Sequence, residues 1–102
     1  IEIKASKMPV GKHLLDKEQF ALDTIQLLKN DRLYTFSDGF ADQFGGPEGK
    51  KYMSKRFKNK LISIQSLSME KQKLELDTEF TNWIAEGKTS QIDDLCVVGV
   101  KI

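Results

Sequence analysis

The closing run Leu95-Cys96-Val97-Val98-Gly99-Val100-Lys101-Ile102 is rich in β-branched residues and begins apolar on both faces. Branching at Cβ costs rotamer freedom in a helix and packs well on a pleated surface, so the run reads as a strand. A strand without a polar face is expected to be covered on two sides. Its backbone also needs a pairing partner. Leu33-Tyr34-Thr35-Phe36 is a second strand-like run. Aspartates border both: Ser37-Asp38-Gly39 follows the Leu33 run, and Gln91-Ile92-Asp93-Asp94 precedes the Leu95 run. Carboxylates at the rim of a buried sheet suit a hard, oxygen-preferring cation such as Mg²⁺ or Mn²⁺. Two or three protein ligands amount to half of a metal site.

The intervening chain supplies helices. Met53, Phe57, Leu61 and Ile64 recur at helical spacing with lysines between them. A second helix opens near Ser68, an N-cap residue, with Glu70 in its first turn. Its apolar stripe is Met69, Leu76, Phe80, Trp83 and Ile84, and Gly87 suits the left-handed C′ position. The loop Phe44-Gly45-Gly46-Pro47-Glu48-Gly49 is too rich in glycine and proline for regular structure. Upstream, Ile1 and Ile3 alternate with Glu2 and Lys4 as in a short strand, which Pro9 and Gly11 interrupt. Phe20 to Leu28 fits a strand imperfectly, and a helix competes. Asn30-Asp31 favours a hairpin into the Leu33 run, because both residues tolerate positive φ. The expected order is strand, strand, strand, helix, helix, strand. The fold class is α+β, an antiparallel sheet with a helix pair packed on one face.

A chain of 102 residues, 39% of them hydrophobic, is one domain or part of one. With 30% charged residues and a net charge of +1, it has no general attraction for nucleic acid or an anionic membrane. No apolar run approaches the ~20 residues that span a bilayer. The lone Cys96 is expected to be a buried small hydrophobe, and the absence of a disulfide partner suits a reducing compartment, here the cytoplasm. Because the chain opens with Ile1 already in a strand-like pattern, it is expected to be a segment of a longer protein.

Leu33-Tyr34-Thr35-Phe36-Ser37-Asp38-Gly39-Phe40-Ala41-Asp42-Gln43-Phe44-Gly45-Gly46 closely resembles the segment around a metal-binding Asp-Gly in SpoIIE/RsbU-type phosphatases. These belong to the PPM (type 2C) protein serine/threonine phosphatases. Gln91-Ile92-Asp93-Asp94-Leu95-Cys96-Val97-Val98-Gly99-Val100 is similar to that family's closing aspartate motif and last strand. The helices between them, with Lys50-Lys51 after the glycine loop, match the family's helix pair, and Met8-Pro9-Val10-Gly11 resembles the turn before these elements.

The resemblance implies that residues 1–102 are the C-terminal portion of one phosphatase domain, part of an αββα sandwich, with the N-terminal half absent. Asp38 and Asp93 would each give a carboxylate oxygen to one of two Mn²⁺ or Mg²⁺ ions. Gly39 would let the backbone turn sharply beside the ion. Asp42 and Asp94 would orient the ligands or bound waters, and Asp94 is the alternative direct ligand. Neighbouring strand residues point to opposite faces, so only one of Asp93 and Asp94 is expected to face the site.

The implied reaction is hydrolysis of phosphoserine or phosphothreonine on a regulatory protein by metal-activated water, without a protein nucleophile. The single His13, in a polar stretch, fits that. Partners of such bacterial signalling enzymes are often anti-sigma-factor antagonists. The family's other aspartates, and an arginine that contacts phosphate, have no counterpart here, so the segment alone is expected to be inactive.

Two readings from other classes stand beside this one. A sheet lacking its partner sheet exposes an apolar face, so the segment is alternatively a non-catalytic interaction or dimerisation module, a homodimer through that face. A basic run, Lys50, Lys51, Lys55, Arg56, Lys58 and Lys60, invites a nucleic-acid reading. Glu70, Glu75, Asp77, Glu79 and Glu86 follow and are expected to cancel it, leaving a solvated face able to touch an acidic protein substrate. The glycine loop lacks the Lys-Ser/Thr signature of a nucleotide loop.

Overall fold

The structure, a computed structural model, describes residues 1–7, 10–11 and 19–102. Its elements are β1 (Arg32–Phe36), α1 (Gly39–Asp42), β2 (Phe44–Gly45), β3 (Lys50–Lys51), α2 (Ser54–Ser63), α3 (Met69–Gly87) and β4 (Val97–Lys101). The class is α+β, with two antiparallel sheets of two strands each, β1–β4 and β2–β3, and three helices.

β1 alternates. Phe36 sets its ring edge-on to Phe57 of α2, with centroids 4.9 Å apart, and Tyr34 packs on the helical core. Leu33 and Thr35 point the other way and pair with Val100 and Val98 of β4. Beyond the ladder, the Asn30 amide donates to the Ile102 carbonyl and the Ile102 amide to the Asp31 carbonyl, both at 2.9 Å. The chain turns tightly before β1, with Asn30 at φ 75°, as the Asn-Asp pair predicts. The Asp31 amide donates to the Leu28 carbonyl, and the Asp31 carboxylate accepts from the Leu28 amide.

Both long helices form where their periodicity placed them, except that Met53, expected on the first stripe, precedes α2 as its N-cap and is exposed. In α2, Phe57 and Leu61 are buried, and Ile64 follows at the C-cap. Ser68 caps α3, its hydroxyl accepting from the Lys71 amide. The α3 stripe includes a polar member that the apolar pattern hides: Gln72 is buried beside Leu76, Phe80 and Trp83. Its amide donates to the Leu67 carbonyl, and its carbonyl accepts from the Tyr34 hydroxyl, which also accepts from Gln65. A buried amide satisfied on both sides ties β1 to α3.

The core is aromatic and centred on Phe40, which is 1% exposed. Its ring lies 4.6 Å from Phe57, 5.0 Å from Tyr52 and 5.1 Å from Phe80, centroid to centroid. Tyr52 in turn meets Trp83 edge-on at 5.2 Å. Such pairs add roughly 0.5–1.5 kcal/mol each beyond the area they bury.

Several expectations are corrected. Residues 1–7 form no strand, and Ile1 and Ile3 are exposed. Residues 20–28 form neither strand nor helix, and Phe20 and Leu22 face solvent. No hairpin strand from residues 20–28 therefore joins β1, which pairs with β4, while Tyr34, Phe36 and Val97 reach the helices. β4 is covered on one side only, with Val98 50% and Val100 46% exposed, since no element packs on its outer face among the described residues. Cys96 is exposed rather than buried, because it precedes β4 at the open rim.

The glycine loop closes a minimal hairpin, Phe44-Gly45 against Lys50-Lys51, where no regular structure was expected. The left-handed residue after α3 is Lys88 (φ 50°), not Gly87. Gly87 is needed inside the helix instead: a Cβ there would lie 2.4 Å from Gly45 Cα, where helix and hairpin backbones touch. His13 and Met8-Pro9 lie outside the described residues.

Phe40→Ala is expected to cost about 3–5 kcal/mol, the range for emptying a buried phenylalanine site. Urea denaturation followed by Trp83 emission measures it. A loss under about 1 kcal/mol would contradict the central place given to this ring.

Candidate functional site

Antiparallel pairing puts the end of β1 beside the start of β4, so the two aspartate motifs become neighbours. Their backbones interlock. The Ser37 amide donates to the Cys96 carbonyl at 3.0 Å, and the Ser37 hydroxyl donates to the Asp94 carbonyl at 3.1 Å. That hydroxyl also accepts from the Cys96 amide at 3.0 Å. Gly39 lies directly on this segment: a Cβ there would sit 2.3 Å from the Asp94 carbonyl oxygen. Gly39 is helical and has no positive φ. Its role is therefore close approach rather than the sharp turn expected from sequence.

A second clasp comes from Gln43, which is fully buried. Its amide nitrogen donates to the carbonyls of Phe44 (3.0 Å) and Ser90 (2.9 Å), and its amide oxygen accepts from the Ile92 amide. The Gln43 backbone carbonyl accepts from the Trp83 indole and the Tyr52 amide. The loop that carries Asp93 is thus tied to α1 and to the core. Sequence reasoning missed this residue. Its only signal was a polar side chain between Asp42 and an aromatic-glycine loop, which is silent about burial.

The carboxylates stand at the rim. Asp38 is the N-cap of α1 but makes no side-chain cap bond, and it is exposed. Its carbonyl accepts from the Asp42 amide. Asp93 is exposed, and its Oδ1 accepts from the Asp94 amide at 2.8 Å. Neither Asp93 nor Asp94 is on β4, which begins at Val97, so strand alternation does not choose between them. Asp42 is half-buried and pairs with Lys51 at 3.2 Å.

Exposed carboxylate oxygens are the donors that Mg²⁺ and Mn²⁺ take. Among the described residues, no three His, Cys, Asp or Glu side chains gather closely enough to hold a metal ion by themselves.

Beyond the Asp42–Lys51 pair lies a groove of about 470 Å³ between the β2–β3 hairpin and the start of α2. Lys50, Lys51, Lys55 and Arg56 are on its walls, with Tyr52, Met53 and Trp83. The Arg56 guanidinium lies over Trp83 (4.6 Å) and Tyr52 (5.2 Å). The Tyr52 hydroxyl donates to Glu79, and burial together with that carboxylate pushes its pKa well above the usual phenol range. The expected cancellation of the basic run is only partial. Lys60 pairs with Glu75 and Glu79, Lys58 with Glu2, Lys50 with Glu48 and Lys51 with Asp42. Lys55 and Arg56 have no carboxylate partner among the described residues.

Gln43→Ala is expected to cost about 2–3 kcal/mol, because it leaves buried groups unpaired. Amide hydrogen exchange at Ile92 should accelerate along with global unfolding. Unchanged exchange there would show that Gln43 does not hold the Asp93 loop.

No family model, curated protein or solved structure matches this chain.

Proposed function

We propose that the chain is the C-terminal part of a metal-dependent protein serine/threonine phosphatase of the PPM type, acting on a phosphorylated regulatory protein in the cytoplasm. The observation that carries this reading is the interlock of Ser37-Asp38-Gly39 with Asp94-Leu95-Cys96, which brings two separate acidic motifs to one rim. Asp38 and Asp93 would hold the Mn²⁺ or Mg²⁺ ions, with Asp42 and Asp94 as supporting groups. Bound there, two such ions would neutralise the phosphate and supply an acidified water for attack.

The chain's own contribution is positional. The Asp38 carboxylate is not spent on capping α1. The Asp94 amide donates to one Asp93 oxygen of an exposed carboxylate. The remaining ligands would come from residues outside this chain.

In the complete parent domain, Asp38→Asn and Asp93→Asn should each lower Mn²⁺-dependent hydrolysis of a phosphoserine peptide by on the order of 100-fold or more, the scale for removing a group that faces developing charge. Full turnover in both variants would end this assignment. Calorimetry on this chain alone should find only weak Mn²⁺ binding.

A second reading is favoured by the outer face of the β1–β4 sheet. Leu33, Val98, Val100 and Ile102 are each close to half exposed there. A contiguous apolar face of this kind drives association, here with a second copy of the chain. Sedimentation velocity across a concentration series should show a dimer that Val100→Lys removes. A monomer at every concentration would dismiss this reading.

A further inference from the structure

We propose that the groove between the β2–β3 hairpin and α2 binds a short acidic segment of a partner protein, with Lys55 and Arg56 meeting its carboxylates. This goes beyond the phosphatase reading and stands without it.

Charge complementarity carries the argument. The groove walls hold four cations against one lining carboxylate, Glu48, and two of the cations keep no acidic partner among the described residues. The Arg56 guanidinium rests against the Trp83 and Tyr52 rings, 4.6 and 5.2 Å from their centroids. A guanidinium is a planar fork of donors that matches a carboxylate, and one already resting on aromatic rings loses less freedom when it takes one. Lys50 and Lys51 are paired only with exposed Glu48 and half-exposed Asp42, so a ligand carboxylate can replace either partner at small cost.

Local structure agrees. Met53 lines the groove at φ 77° and ψ 142°, a conformation costly for any residue but glycine. It is held there by the hydrogen bond that its backbone N–H donates to the Ala41 carbonyl. Strain of this kind gathers where a binding surface is shaped. The first turn of α2 also carries cations and no carboxylate, an arrangement that an incoming anion would relieve.

The occupant follows from size and chemistry. A groove of about 470 Å³ with Pro47, Met53 and Trp83 among its walls suits side chains of mixed character, not a bare ion. Single-stranded nucleic acid needs open aromatic faces and a long track of cations. Here Arg56 already covers Trp83 and Tyr52.

Trp83 is the only tryptophan and lines the groove, so its emission reports occupancy directly. Titrating this chain with a hexaglutamate peptide at low ionic strength should give a saturable change that added salt abolishes. A hexaserine peptide should give none. Lys55→Glu, at an exposed position, should weaken binding about tenfold while leaving the urea midpoint unchanged. Asp38→Asn should bind as the parent chain does, which separates this site from the metal-dependent chemistry. The proposal is overturned by no saturable response, by wild-type affinity in Lys55→Glu, by loss of binding in Asp38→Asn, or by tighter binding of an oligonucleotide of equal charge.

Discussion

The burial of the Phe40 ring is the interaction on which the rest of the structure depends. Phe40 sits one residue after the Asp38-Gly39 pair and contacts Phe57, Tyr52 and Phe80. Placing that ring fixes α1 against α2 and α3, and with α1 the rim that carries Asp38. Fully burying an aromatic ring is worth about 1.5–3 kcal/mol. In a domain whose net stability is only ~5–15 kcal/mol, that is a large share. The place of Asp38 on the acidic rim is therefore set by hydrophobic packing next to it.

Two polar devices then bring the distant motif to that rim. Ser37 uses backbone and hydroxyl together to grip Asp94 and Cys96, and Gln43 holds the Ser90–Ile92 stretch from the other side. The Gln43 amide is buried with its donors and acceptor satisfied, which specifies one arrangement, because any other leaves them unpaired. Gly39 permits the contact by lacking a Cβ. Asp42 at the end of α1 pairs with Lys51, which lines the basic groove, so one ion pair links the two neighbourhoods.

The helices were legible because their information is local. Spacing within α2 and α3, the Ser68 cap and the Asn30 turn each depend on residues a few positions apart. Gln72 escaped notice because periodicity registers apolar residues only, and its amide is satisfied by Tyr34 from a remote strand. The helix end was misplaced by one position. Local rules assign glycine to the left-handed site, whereas packing against Gly45 claims Gly87 first and leaves Lys88 to adopt φ 50°.

By itself, then, the sequence determined which segments become the two long helices, that the Leu33 and Val97 regions are strands, and that carboxylates stand beside them. Those outcomes rest on side-chain sterics and on hydrogen bonds within a turn or two. Only the tertiary structure decided that β1 pairs with β4, that the outer face of this sheet stays open, and that Gln43 and Ser37 lock the two motifs together. It also decided which lysines are neutralised, because salt bridges depend on which surfaces meet. Contacts between residues far apart in the chain cost closure entropy that only the assembled core repays, so no single stretch of sequence can encode them.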